Sequence, residues 1–220
     1  MSDSIYAYYP VFVALEDLRS LDIDDAAQEV ENLFKEWSDR VTIRGAYSTV
    51  GFRPDADLMF WWVGSTPDVH QDLMIALRRT AAGRSLELTW AFEGVVKPAE
   101  FTPDHSPAFV RGEPPRKYLC VYPFVRTPDW YLLPPEERAR MLADHGRIGR
   151  EFPDVLPNTT SAFGINDWEW ILAFEADDLG HIVDCIRTLR EAEARRYTKE
   201  EVPFVTGIRK DVRAALGDLV

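Results

Sequence analysis

A duplicated pattern constrains this chain more than any other feature of its sequence. Asp57-Leu58-Met59-Phe60-Trp61-Trp62-Val63 reads as a strand. A turn at Ser65-Thr66-Pro67-Asp68 follows, and then a helix through Leu73, Leu77 and Arg79. Asp167-Trp168-Glu169-Trp170-Ile171-Leu172-Ala173-Phe174 repeats the strand. Ala176-Asp177-Asp178 repeats the turn, and Ile182, Val183, Ile186 and Leu189 mark a second helix. His70 and His181 fall at matching places in the two helices. Apolar runs bounded by turn residues and followed by helical spacing, recurring at a distance, indicate a repeated supersecondary unit.

Each half extends the unit in the same way. The first adds a strand at Tyr6–Leu15, a helix at Asp24–Trp37, a strand at Val41–Val50 and a closing strand at Leu86–Val96. The second adds a strand at Tyr118–Val125, a helix from Pro134 to Arg150, a strand at Thr159–Ile165 and a closing strand at Pro203–Ile208. The order strand–helix–strand–strand–helix–strand, twice over, is ferredoxin-like. The expectation is an α+β fold of two ferredoxin-like βαββαβ repeats, packed as a barrel-like pair covered by helices. The halves span 1–100 and 118–220. Between them, residues 101–117 belong to a Pro- and charge-rich stretch long enough to carry function.

The 220 residues carry a net charge of −12, which argues against a nucleic-acid partner or an anionic membrane surface. A small anionic ligand would need a local arginine cluster. The N-terminus, Met1 to Tyr6, lacks a basic n-region and an apolar h-region, and no apolar run is long enough to span a bilayer. Cys120 and Cys185 form neither a disulfide framework nor a zinc site, which suits a reducing, cytoplasmic setting. No HExxH, CxxC, GxGxxG or Walker motif is present.

In the Pro134 helix, Met141, Leu142, His145 and Ile148 fall on one face at i, i+3 and i+4 spacing. Periodicity alone leaves His145 open as a metal ligand or a hydrogen-bonded core histidine. Tyr118, Tyr122, Phe124, Trp130 and Tyr131 form an aromatic cluster that either fills a sheet core or hosts an oxidisable site. Arg126 ends that strand. The run Arg187–Arg196 reads as a solvated helix face, although arginine is also suited to bidentate carboxylate binding.

Three blocks carry a resemblance. They are Tyr122-Pro123-Phe124-Val125-Arg126-Thr127-Pro128-Asp129-Trp130-Tyr131-Leu132-Leu133-Pro134-Pro135-Glu136-Glu137-Arg138, then Asp144-His145-Gly146-Arg147-Ile148-Gly149-Arg150, and Asp167-Trp168-Glu169-Trp170. From Tyr118 to Gly207 the chain resembles the actinobacterial coproheme decarboxylases, members of the chlorite dismutase-like superfamily. The resemblance implies two ferredoxin-like repeats, often assembled as a pentamer. It implies peroxide-dependent conversion of two propionates of iron-coproporphyrin III (coproheme) to vinyls, giving haem b. It places His145 at the iron ligand and Tyr122 at the tyrosine that becomes a radical. His105 falls at the distal position, as the base for peroxide. Trp130 falls at the porphyrin edge and Arg126 at a propionate-binding position. Arg195 falls at a second such position, with Arg196 as the alternative. Coproheme and hydrogen peroxide are the implied partners, with a transient contact to coproporphyrin ferrochelatase. Chlorite dismutases carry a distal arginine in the region that here reads Asp154-Val155-Leu156-Pro157-Asn158-Thr159, without one. The competing readings are a haem peroxidase or chlorite-degrading enzyme, and a non-catalytic haem carrier or sensor. His70 and His181 are left as core or surface histidines.

Overall fold

The computed structural model describes residues 4–98, 100–101 and 106–220. The elements run β1 (Tyr6–Ala14), α1 (Ile23–Glu36), β2 (Val41–Arg53), β3 (Ala56–Gly64), α2 (Pro67–Leu77), α3 (Ala81–Arg84) and β4 (Leu86–Val95). They continue with β5 (Tyr118–Arg126), α4 (Pro128–Leu132), α5 (Pro135–Gly149), β6 (Leu156–Ser161), β7 (Trp170–Ala176) and α6 (Leu179–Leu189). The last are a 3₁₀ turn at Glu193–Tyr197, β8 (Thr198–Glu200), β9 (Val205–Lys210) and α7 (Val212–Gly217). No helix among the described residues is long and apolar enough to cross a membrane. Met1–Val96 with Val205–Val220 form one compact unit, and Lys97–Phe204 form another.

In the first unit the strands lie in the order β4-β1-β3-β2-β9, each pair antiparallel. The side chains of a strand alternate between faces. Tyr8, Phe12, Phe60 and Trp62 therefore meet Val30 and Phe34 of α1 and Leu73 and Leu77 of α2 in one core. Asp22 caps α1 by accepting from the Asp25 amide at 3.1 Å, and Val30 and Phe34 lie on its buried stripe. The strand expected to close the second repeat, β9, pairs with β2 through Ala46↔Lys210 and Ser48↔Ile208. Gly207 makes this approach feasible, because a Cβ there would stand 2.8 Å from the Cβ of Tyr47.

The matching histidines have opposite surroundings. His70 is 1% exposed, with Nδ1 2.9 Å from a Glu93 carboxylate oxygen and its ring stacked on Tyr8. His181 is exposed and pairs with Asp154.

In the second unit the order is β6-β7-β5-β8, again antiparallel. Cys120↔Phe174 and Tyr122↔Leu172 face α6, where Cys120, Tyr122, Phe174, Ile182 and Cys185 form a buried cluster. Fully burying a side chain the size of Phe or Ile contributes roughly 1.5–3 kcal/mol. The opposite face holds a polar knot. Asn158 donates to Glu175 at 3.1 Å, the Phe109 amide donates to Asn158 at 2.9 Å, and the Arg116 amide donates to Glu175 at 3.1 Å. Residues 109 and 116 of the linker are thereby fixed to β6 and β7.

Two strands are shifted from their expected places. The strand expected over Thr159–Ile165 is Leu156–Ser161, because Ala162–Ile165 closes a turn through Gly164 at φ +74°. The strand expected from Asp167 begins at Trp170, because the Asn166 side chain accepts from the Trp168 amide at 3.0 Å and holds a turn there. The helix expected through Arg79 ends at Leu77, and Thr80 caps α3 by accepting from Gly83 at 2.9 Å.

Candidate active site

The candidate residues of β5, α4, α5 and the segment after α6 all lie in the second unit. Pro135 opens α5, and Glu136 and Glu137 complement the positive end of its dipole. Met141 and Ile148 are buried, and His145, one turn from each, is half-buried on the same face. Arg147 turns outward and pairs with Asp144 at 3.0 Å and Glu151 at 3.3 Å. Arg140 pairs with Glu193 at 2.7 Å, tying α5 to the 3₁₀ turn that carries Arg195 and Arg196.

Tyr122 is 5% exposed. Its ring stacks on Phe204 and lies 6.0 Å from the ring of Phe174. Burial pushes its phenol pKa well above the ordinary value, and Cys120 adds to this. Arg190 and Arg195 act in the opposite direction. A phenol so placed stays protonated at neutral pH. Its oxidation must therefore remove the electron and the proton together, leaving a neutral radical.

Arg126 extends from β5 across Trp130, its guanidinium carbon 4.1 Å from the ring centre, and donates to the Ala194 carbonyl at 2.8 Å. Burial lowers its pKa to about 10, so it keeps its charge at neutral pH. Trp130 is 3% exposed and packs with Met141 and Ala194, and with Leu142 of α5. Glu169 supports this arrangement. Its Oε2 accepts from the Arg126 amide at 2.7 Å and from the Tyr131 hydroxyl at 2.6 Å.

Beyond α6 a cavity of about 510 Å³ is lined by Asp144, Arg190, Glu191, Ala192, Glu193, Arg195 and Arg196. Arg190 and Arg195 both pair with Glu201, Arg195 at 2.6 Å. Both Arg195 and Arg196 line the cavity, whereas the Glu201 pairing and the electrostatic influence on Tyr122 involve Arg195. The expected site residues Tyr122, Arg126, Trp130, His145 and Arg195 all lie in this unit. His105 lies outside the described residues. Arg190, Glu201 and Phe204 escaped the sequence reading. Arg190 follows Ile182 and Ile186 at helical spacing, a signal that it shares the inward face of α6.

Among the described residues no group of three His, Cys, Asp or Glu side chains converges as a metal site would. The donor set on offer is one imidazole on an apolar helix face, a buried phenol and a local arginine cluster on an acidic chain. It fits a metal that arrives inside a planar ligand bearing carboxylates.

The fold and this donor set define a two-repeat α+β protein with its candidate site in the second unit. The chain belongs to the chlorite dismutase family, which it matches over residues 23–210. It is 44% identical over 216 residues to a coproheme decarboxylase from Mycolicibacterium smegmatis, covering 97% of this chain and 94% of that protein. It is 29% identical over 213 residues to a coproheme decarboxylase from Thermus thermophilus, covering 88% and 85%. A mutant chlorite dismutase from Candidatus Nitrospira defluvii matches with a TM-score of 0.88 at 22% identity, over 100% of this chain and 96% of that one. The same organism's chlorite dismutase in complex with imidazole matches at 0.87 and 21%, with the same coverage. These structures establish the fold.

Proposed function

We propose that the protein is a coproheme decarboxylase that converts iron-coproporphyrin III to haem b by removing two propionate carboxyl groups as carbon dioxide. The observation that carries this reading is the buried Tyr122 phenol, stacked on Phe204, in the unit whose Arg190 and Arg195 line a common cavity. It sets a group oxidisable only by hydrogen-atom loss in the same unit as cations suited to carboxylates. The near-full-length likeness to the M. smegmatis enzyme supports it.

When bound, the iron porphyrin is both substrate and oxidising centre, drawing on hydrogen peroxide. Each propionate, with one peroxide and one proton, gives a vinyl group, carbon dioxide and two waters. His145 on α5 would hold the iron. Arg126 and Arg195 bind propionates and set the porphyrin's rotation, and Trp130 forms a wall at its edge. Tyr122, oxidised to the neutral radical, takes a hydrogen atom from the propionate β-carbon. His105 would serve as the base towards peroxide. The protein works in the cytoplasm as a homo-oligomer, a pentamer by resemblance, and receives its substrate through transient contact with coproporphyrin ferrochelatase.

The test is to titrate the ferric coproporphyrin III complex with hydrogen peroxide and follow the porphyrins by mass spectrometry. Stepwise conversion of two propionates to vinyls is expected. Binding without conversion would move the reading to a carrier or peroxidase. Sustained oxygen release from chlorite would move it to chlorite breakdown, for which Asp154–Thr159 supplies no arginine.

A further inference from the structure

Among the described residues, Glu201 is the acidic side chain paired with both Arg190 and Arg195, and the proposed reaction gives it no role. Its side chain is 14% exposed. A single carboxylate oxygen, Oε2, contacts both Arg190 and Arg195. The two guanidiniums carry two positive charges and Glu201 offsets one of them, while Asp144, Glu191 and Glu193 add negative charge and Arg196 positive charge around the cavity beyond α6. Both arginines also line the 510 Å³ cavity. A carboxylate entering from that cavity meets two guanidiniums whose Nη1 groups already face Glu201, so part of their charge is offset before it arrives.

Resting on the proposed function, we infer that Glu201 competes with the porphyrin's propionates for Arg190 and Arg195, and so selects porphyrins by the number of carboxylates they bring. Coproheme presents four carboxylates and displaces the internal one readily. Haem b presents two and displaces it less well. As decarboxylation removes carboxylates, Glu201 regains its arginines and the product is held less tightly. The device uses charge already in the chain and needs no moving domain.

The experiment is an absorbance titration of wild type and Glu201→Gln with ferric coproporphyrin III and, separately, with haem b. Glutamine keeps the shape and one acceptor but removes the charge. The variant should bind coproheme about tenfold more tightly, the scale of one lost charge-assisted partner. Its haem b affinity should change less, so that the preference for coproheme widens. In an Arg190→Gln background the gain should shrink. If Glu201→Gln does not fold, Glu201→Asp retracts the same charge by one methylene and should shift affinity in the same direction. Unchanged or weaker coproheme binding by a folded variant, beside normal wild-type binding and turnover, would overturn this inference alone. A wild-type protein that fails to bind coproheme would remove both the inference and the function beneath it.

Discussion

The ring of Phe204 lies on the ring of Tyr122, their centroids 4.4 Å apart and their planes 24° from parallel. Phe204 thus fixes the tilt of a phenol whose usefulness depends on where its oxygen points. Phe204→Leu removes the flat partner while keeping most of the volume, so the fold should lose only about 1 kcal/mol. Haem b formation should slow by about fivefold or more, the rate equivalent of a comparable loss in positioning. Thermal melts and stopped-flow product formation check the two halves of this expectation separately.

Arg126 is held by shape as much as by charge. Lysine in its place would keep a cation but lose the plane that covers Trp130 and the donor aligned on Ala194. Arg126→Lys should cost about 1–2 kcal/mol in urea unfolding. It should also weaken coproheme binding, read by absorbance titration. An unchanged affinity would remove Arg126 from the propionate contacts.

The buried acids of this unit predict how stability depends on pH. Burial raises the Cys185 thiol from 9.0 to about 11, and raises the Tyr122 phenol above its ordinary 10.0. Both are neutral when protonated, so the unfolded chain releases these protons first. It then binds fewer protons than the folded chain, and stability falls as pH rises. The contribution of Cys185 is fully present below pH 9 and is lost between 9 and about 11. The Tyr122 contribution begins to fade above pH 10. Urea midpoints measured from pH 8 to 11 should decline in this window, and Cys185→Ala should flatten the earlier part of the decline.

The parts of the site that could be read from the sequence are those close together along the chain. Tyr122, Arg126 and Trp130 share one strand and the short helix after it, so their proximity is local. The spacing of Met141, His145 and Ile148 places His145 on the buried side of α5. The aromatic runs of β3 and β5 declare themselves as strands by burial alone. Arg190 and Glu201 were hidden for a physical reason. A run of charges looks the same whether it is solvated or paired across a cavity, and only the path of the chain after α6 brings Glu201 back to two arginines. The register of β6 and β7 depended on Gly164 and on the Asn166 side chain, whose turn is visible only once the backbone is placed. The assignment of β9 was a question of partner rather than of type, and strand propensity is silent on partners.

The linker that carries His105 is anchored by Asn158, which accepts from the Phe109 amide and donates to Glu175. Asn158→Ala leaves a buried amide and part of a fully buried carboxylate without partners. The cost should be about 2–4 kcal/mol by chemical denaturation. Hydrogen exchange should rise at residues 106–117, and the reaction with peroxide should slow while coproheme affinity holds.

In the proposed reaction Tyr122, once oxidised to its neutral radical, accepts the hydrogen atom from the propionate. Tyr122→Phe removes one oxygen from the buried cluster and leaves its packing in place. The direct measurement is a side-by-side reaction of the wild-type and Tyr122→Phe coproheme complexes with hydrogen peroxide, quenched over time and resolved by mass spectrometry. The expected result is equal coproheme binding, haem b from the wild type and almost none from the variant. Haem b formation by Tyr122→Phe at the wild-type rate would contradict it.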